Sequence, residues 1–174
     1  LLNSNLQIKL LYLPGEYQLL HHGFDNPMVQ KGIVDNLAPY ISPEQTERLE
    51  REPDCRSDLY SMGILLYQLL VGHQPIKGAN LTEIYYNHLA VMPASPIQVE
   101  PMIPPMLSEI VNKLLQKIPE DRYQSSQGIK FDLEQCQMQF TSQDCIPDFK
   151  MGTKDFAPFL KISKRSYGRK NQLN

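Results

Sequence analysis

Asp58-Leu59-Tyr60-Ser61-Met62-Gly63 opens the stretch that decides the fold. From Leu59 to Val71 no residue is charged, and Leu59, Tyr60, Met62, Ile64, Leu65, Leu66, Leu69, Leu70 and Val71 are apolar or aromatic. At the α-helical period these side chains cover nearly the whole circumference, which predicts a helix from about Ser57 to Val71 buried on all sides. Leu65 and Leu69 are then expected in the core. Ser57 is a candidate N-cap, and Gly72 suits the left-handed C-terminal cap.

Helical signals continue on both sides of this stretch. Ser42 is able to cap a short helix with Pro43 at its first position and Glu44 and Glu47 near its positive end. Asn80 with Glu83 three residues on reads as a capping box opening a helix to about Ala90. Residues 92–105 are rich in proline and read as a loop. Met106, Leu107, Ile110, Val111, Leu114, Leu115 and Ile118 recur at intervals of three and four, so a helix is expected there, ended by Pro119. Ser125 or Ser126 starts a last helix with Ile129, Leu133, Cys136 and Phe140 on one face. The exception to the helical pattern is Leu6–Tyr12, which reads as a short strand stopped by Pro14-Gly15. The long segment 16–41 behind it has no sustained period. The fold class is therefore mainly α, with about five helices, a short N-terminal strand and a long loop.

The 174 residues suit one domain of ordinary size. An apolar content of 41% and a charged content of 21% fit a soluble globular chain. A formal net charge of −2 gives no reason to expect a nucleic-acid partner. The apolar run Ile64–Val71 is too short to span a bilayer, so no membrane role is expected. Cys55, Cys136 and Cys145 are widely spaced without a C-x-x-C pair, which fits reduced thiols in a cytoplasmic protein rather than a zinc or disulfide framework. No metal site is expected. The adjacent His21-His22 point apart on any regular backbone, and His73 and His88 read as surface or boundary residues. Residues 150–174 carry seven Lys or Arg against one Asp and read as a solvated linker.

Three short motifs in order carry a resemblance. Ser42-Pro43-Glu44, then Asp58–Gly63, then Asp121-Arg122-Tyr123 resemble the C-terminal lobe of a eukaryotic-type serine/threonine protein kinase over roughly Leu6 to Phe140. The resemblance implies that Glu44, at the end of the activation segment, pairs with Arg122 as a buried structural ion pair. It also implies that Asp58 anchors the backbone of the catalytic loop, and that Leu65 and Leu69 support the hydrophobic columns of the fold. A narrower likeness lies in Pro39–Thr46, Arg56–Ser61 and Glu120–Ser125. These resemble the kinase-like domain at the N-terminus of large two-component hybrid histidine kinases, in which an AAA-type ATPase domain follows. Ser166-Tyr167-Gly168-Arg169-Lys170 is similar to the junction pattern Y-G-R-E of that family, with Lys170 in place of the usual Glu. The expected division is thus a kinase-like C-terminal half over 1–141 and a linker or tail over 142–174.

The chemistry of a kinase is not found in this sequence. It contains no glycine-rich loop, strand lysine or H-R-D loop, and Tyr12-Leu13-Pro14 stands where the family has D-F-G. A tyrosine is a poor replacement for the carboxylate that holds Mg²⁺ against ATP. No catalytic residue is assigned. No cofactor is expected for this chain, and ATP with Mg²⁺ only where the parent protein holds an intact kinase domain. The expected function is a pseudokinase-like scaffolding or regulatory module, with adjoining ATPase and histidine-kinase domains of the same polypeptide as partners. Two alternatives stand beside it: the C-terminal part of an active serine/threonine kinase whose catalytic residues lie upstream, and an unrelated helical interaction domain.

Overall fold

The computed structural model describes residues 36–143 and 146–157. The expected strand at Leu6–Tyr12, the Tyr12-Leu13-Pro14 stretch, His21-His22 and the Ser166–Lys170 junction lie outside the described residues. The chain divides into two compact units, Leu1–Pro39 and Tyr40–Asn174. Of the first, residues 36–39 are described, in helical conformation.

The second unit is helical, with no strand among its described residues. Its helices are α1 (Cys55–Val71), α2 (Leu81–Ala90), the single turn α3 (Pro96–Val99), α4 (Pro105–Leu114) and α5 (Ser126–Gln143). Two tight 3₁₀ turns, Pro43–Thr46 and Pro119–Asp121, precede α1 and α5. This is the mainly α architecture expected from the sequence, with two exchanges. The element after Ser42 is a 3₁₀ turn, while the proline-rich stretch contains a helical turn whose first residue, Pro96, is buried.

Local chemistry sets the boundaries. α1 begins two residues before the expected Ser57, because the Asp54 carboxylate accepts the Arg56 N–H and caps it. Its end is at Gly72, with φ of 84° and its N–H bonded to the Gln68 carbonyl. In α2 the Asn80 side chain accepts the Glu83 N–H, as expected, but Glu83 returns its carboxylate to the Ala79 N–H. α4 stops at Leu114, short of Pro119, and Pro119 instead starts the next turn.

α4 lies between two apolar clusters. Ile110 and Leu114 join Leu59 of α1, Met106, Tyr123, Ile129 and Cys136 in one cluster. Val111 and Leu115 join Tyr60, Ile64, Tyr67 and Ile76 in the other. Gly63 permits the close approach of α1 to α4: a Cβ there would fall 2.7 Å from Cβ of Leu114.

Three expectations about burial are corrected. Leu65 and Leu69 are not in the core; they are 41% and 74% exposed. An apolar circumference does not require neighbours on every side: α1 buries Ser57, Leu59, Tyr60, Gly63, Ile64 and Tyr67, and Met62 and Leu66 pack partly against the first cluster. Asp58, Leu65 and Leu69 are exposed and form the outward stripe. Phe140 is likewise exposed, although Ile129 and Cys136 on the same face of α5 are buried. His88 is fully buried, because α2 turns its imidazole onto the Tyr60 ring. His73 is exposed. Residues 146–157 also depart from a solvated linker: Ile146, Phe149 and Met151 pack against the first cluster.

Candidate functional site

Glu44 and Arg122 meet in the interior, 78 residues apart in sequence. The Pro43–Thr46 turn presents Glu44, and Arg122 follows the Pro119–Asp121 turn in extended backbone. Their side chains are 2% and 0% exposed. Arg122 Nη1 and Nη2 donate to Glu44 Oε1 and Oε2, each at 2.8 Å, in a two-pronged contact.

The guanidinium's remaining hydrogens go to backbone carbonyls. Nε donates to Gln116 at 2.7 Å, Nη1 to Arg56 at 3.1 Å and Nη2 to Lys117 at 3.0 Å. All of its N–H donors are therefore used. Ser57 Oγ donates to Glu44 Oε1 at 2.7 Å. Burial by itself would raise the Glu44 carboxyl. The hydrogen bonds from Arg122 and Ser57 and the guanidinium charge outweigh it and hold the group below its ordinary value.

Tyr60 completes this centre. The Arg122 guanidinium carbon sits 4.9 Å from the Tyr60 ring centroid. The Tyr60 hydroxyl lies 3.2 Å from His88 Nδ1 and accepts from Lys117 Nζ at 3.2 Å. Burial, then the Arg122 charge, pulls Lys117 down to about 8. Burial pushes the Tyr60 hydroxyl well above its ordinary value.

Each residue of the opening motif now has a place. Leu59 enters the first cluster and Tyr60 lies under Arg122. Ser61 Oγ donates to the Tyr40 carbonyl at 2.7 Å, tying α1 to the segment before Ser42. Asp58 points outward at the head of the stripe and has no hydrogen-bond partner among the described residues. Partial loss of water around its carboxyl raises it above its ordinary value.

A surface arginine cluster surrounds the buried centre. Arg56 holds Asp54 at 2.6 Å and Glu120 at 3.2 Å, and Arg51 holds Glu120 at 2.7 Å. The Arg56 hydrogen bond keeps Asp54 below its ordinary value. Among the described residues, no three His, Cys, Asp or Glu side chains are grouped to hold a metal ion. No helix of the described residues is long and apolar enough to cross a membrane.

Sequence reasoning brought Glu44 and Arg122 together but missed their supports. Ser57 reads as a helix cap, and only the structure shows that it serves Glu44 while Asp54 caps α1. His88 and Lys117 give no sequence signal of burial, since histidine is intermediate in its exposure and lysine ordinarily exposed.

A buried glutamate held in this way by an arginine before the last helix, beside an apolar central helix, is the arrangement that the resemblance implies for the C-terminal lobe of a protein-kinase-like domain. The chain is such a lobe, of the kind found in serine/threonine kinases and in hybrid histidine kinases. It is 40% identical over 155 residues to hybrid signal transduction histidine kinase G of Dictyostelium discoideum, an overlap of 78% of this chain and 4% of that protein. It is 30% identical over 133 residues to histidine protein kinase 1 of Candida albicans, covering 73% of this chain and 5% of that protein. With serine/threonine-protein kinase PknB of Mycolicibacterium smegmatis it shares 35% over 108 residues, 62% of this chain and 17% of that kinase. The chain thus spans a small part of the length of the curated relatives it matches. No family model matches it.

Proposed function

We propose that this chain belongs to a pseudokinase-like module that scaffolds or regulates adjoining domains of a multidomain signalling protein and does not itself transfer phosphate. One contrast carries the reading. The Glu44–Arg122 centre that shapes a kinase C-terminal lobe is complete within the chain, with every guanidinium donor used. The sequence that should hold magnesium reads Tyr12-Leu13-Pro14. Phosphoryl transfer depends on metal-held phosphates far more than on this brace, so architecture without metal ligands favours binding over chemistry. The partners are then neighbouring domains of the same polypeptide, an AAA-type ATPase and a histidine kinase, in a cytoplasmic protein. This chain takes no cofactor of its own.

Phosphotransfer by the parent protein tests the reading. Labelled ATP with Mg²⁺ should leave no phosphate on Ser or Thr, whether of the protein or of a general acceptor such as casein. Labelling that survives removal of the histidine-kinase part would overturn it.

A second reading, an active kinase with its catalytic residues upstream, is favoured by Asp58. Its carboxylate stands unpartnered among the described residues at the position where the resemblance expects it to anchor a catalytic loop. The same assay separates the two: phosphotransfer that is lost in Asp58→Asn supports the active kinase.

A further inference from the structure

Adjacent residues in extended backbone point to opposite sides. Arg122 and Tyr123 do so here, and the segment from Arg122 to Ser125 is consequently bonded on two faces. One face reaches Glu44 through Arg122. The other reaches residues 146–157. Asp155 Oδ1 and Oδ2 accept from the Gln124 N–H at 3.0 and 2.9 Å, and Oδ1 also accepts from the Ser125 N–H and hydroxyl, each at 2.9 Å. The Tyr123 hydroxyl donates to Asp132 Oδ2 at 2.6 Å, and the Gly152 N–H donates to the same oxygen at 2.8 Å.

Gln124 links the two faces directly. Its backbone N–H serves Asp155, while its side chain accepts from Arg56 at 3.1 Å and donates to the Arg122 carbonyl at 2.8 Å. Arg56 in turn offers its carbonyl to the Arg122 guanidinium.

The docking is close-fitting. A Cβ on Gly128 would lie 2.5 Å from Asp155 Oδ1, so glycine is needed for the carboxylate to approach α5. Asp132 is fully buried, but its Oδ1 has no hydrogen-bond partner among the described residues.

We propose that residues 146–157 are a strap which, through Arg122–Ser125, couples a pull on the chain beyond Ala157 to the Glu44 end of the lobe. The domain then extends past α5 to at least Asp155. In the multidomain reading above, a following domain supplies the pull; the coupling within this chain does not depend on that reading or on nucleotide chemistry.

Hydrogen exchange on the full chain tests the coupling with two variants. Gly128→Ala adds a methyl group that displaces Asp155 while favouring the α5 helix. Asp155→Asn keeps the shape and weakens the contact. Amides of Gln124, Ser125 and 146–157 should exchange about ten-fold faster in both, with a smaller acceleration over 42–46 and none over 106–114. Acceleration confined to 146–157 and 124–125 would overturn the coupling. Unchanged exchange over 146–157 in both would overturn the strap itself. If Gly128→Ala loosens 106–114 as well, Asp155→Asn alone decides by the same two criteria.

Discussion

The two faces of α1 have much the same composition and opposite environments. Tyr60, Ile64 and Tyr67 are at most 2% exposed, whereas Leu65 and Leu69 on the other side are 41% and 74% exposed. The difference is made by what each face meets. The inner face meets α4 through Gly63 and the Arg122 guanidinium through Tyr60. The outer stripe begins with Asp58, unpartnered among the described residues, and its Leu65 and Leu69 stay exposed. Apolar character alone therefore does not locate the core; the polar centre at one end of the helix does.

The largest effect should come from breaking the inner centre. Arg122→Met leaves Glu44 buried without its counter-charge, and chemical denaturation should show a loss of about 3–5 kcal/mol. A loss near that of an exposed pair such as Arg51–Glu120, about 0–1 kcal/mol, would erase the distinction between buried and surface arginines. Ile64→Ala, on the inner face, should cost about 2–5 kcal/mol in the same melts.

Acid tests the centre from the carboxylate side. Glu44 is held below its ordinary value of 4.5 in the folded chain, so its contribution is complete above that value. It is lost as the pH falls through the lower folded value. Stability measured down the acid limb should fall more steeply in the native chain than in Glu44→Gln. Asp58 works in the opposite direction, because its folded value is raised. Parallel acid limbs for the native chain and the Glu44 variant would contradict the assignment.

A smaller effect is expected on the alkaline side. Between about 8 and 10.5 the unfolded chain keeps a proton on Lys117 that the folded chain gives up, so stability should rise with pH there. The groups around it are the Tyr60 hydroxyl, His88 and Arg122. Cys136, raised by burial from 9.0 to about 11, lowers stability above pH 9. The net gain is therefore confined to about pH 8–9 and should stay under about 1 kcal/mol. Lys117→Met should remove it.

The outer stripe should give the smallest change. Leu69→Ala in this chain should cost no more than about 0.5 kcal/mol. In a longer chain carrying the upstream half of a kinase-like domain, the same change should cost about 2–5 kcal/mol if that half covers the stripe. Equal small losses in both would show that the outward face is simply solvent-facing.

These contrasts also mark what the sequence could convey. α4 was legible because Met106, Ile110 and Leu114 repeat at the helical period along one buried side. α1 was legible as a helix but not in its orientation, since a helix apolar all round has no periodic signal to separate Ile64 from Leu65. Glu44 and Arg122 could be paired because short motifs flank each of them. The carbonyls of Arg56, Gln116 and Lys117 that complete the guanidinium's bonding belong to the backbone, and side-chain patterns carry no trace of them. Asp155 lay in a basic stretch that reads as a linker, and its role depends on the return path of the chain after α5.

On the proposed reading, the lobe keeps its architecture without nucleotide chemistry. Calorimetric titration of this chain with ATP and Mg²⁺ tests it most directly. No saturable heat is expected, because the sequence offers no strand lysine and no carboxylate where the metal should sit. A dissociation constant in the micromolar range would contradict it, and would mean that the chain forms a nucleotide site from other residues.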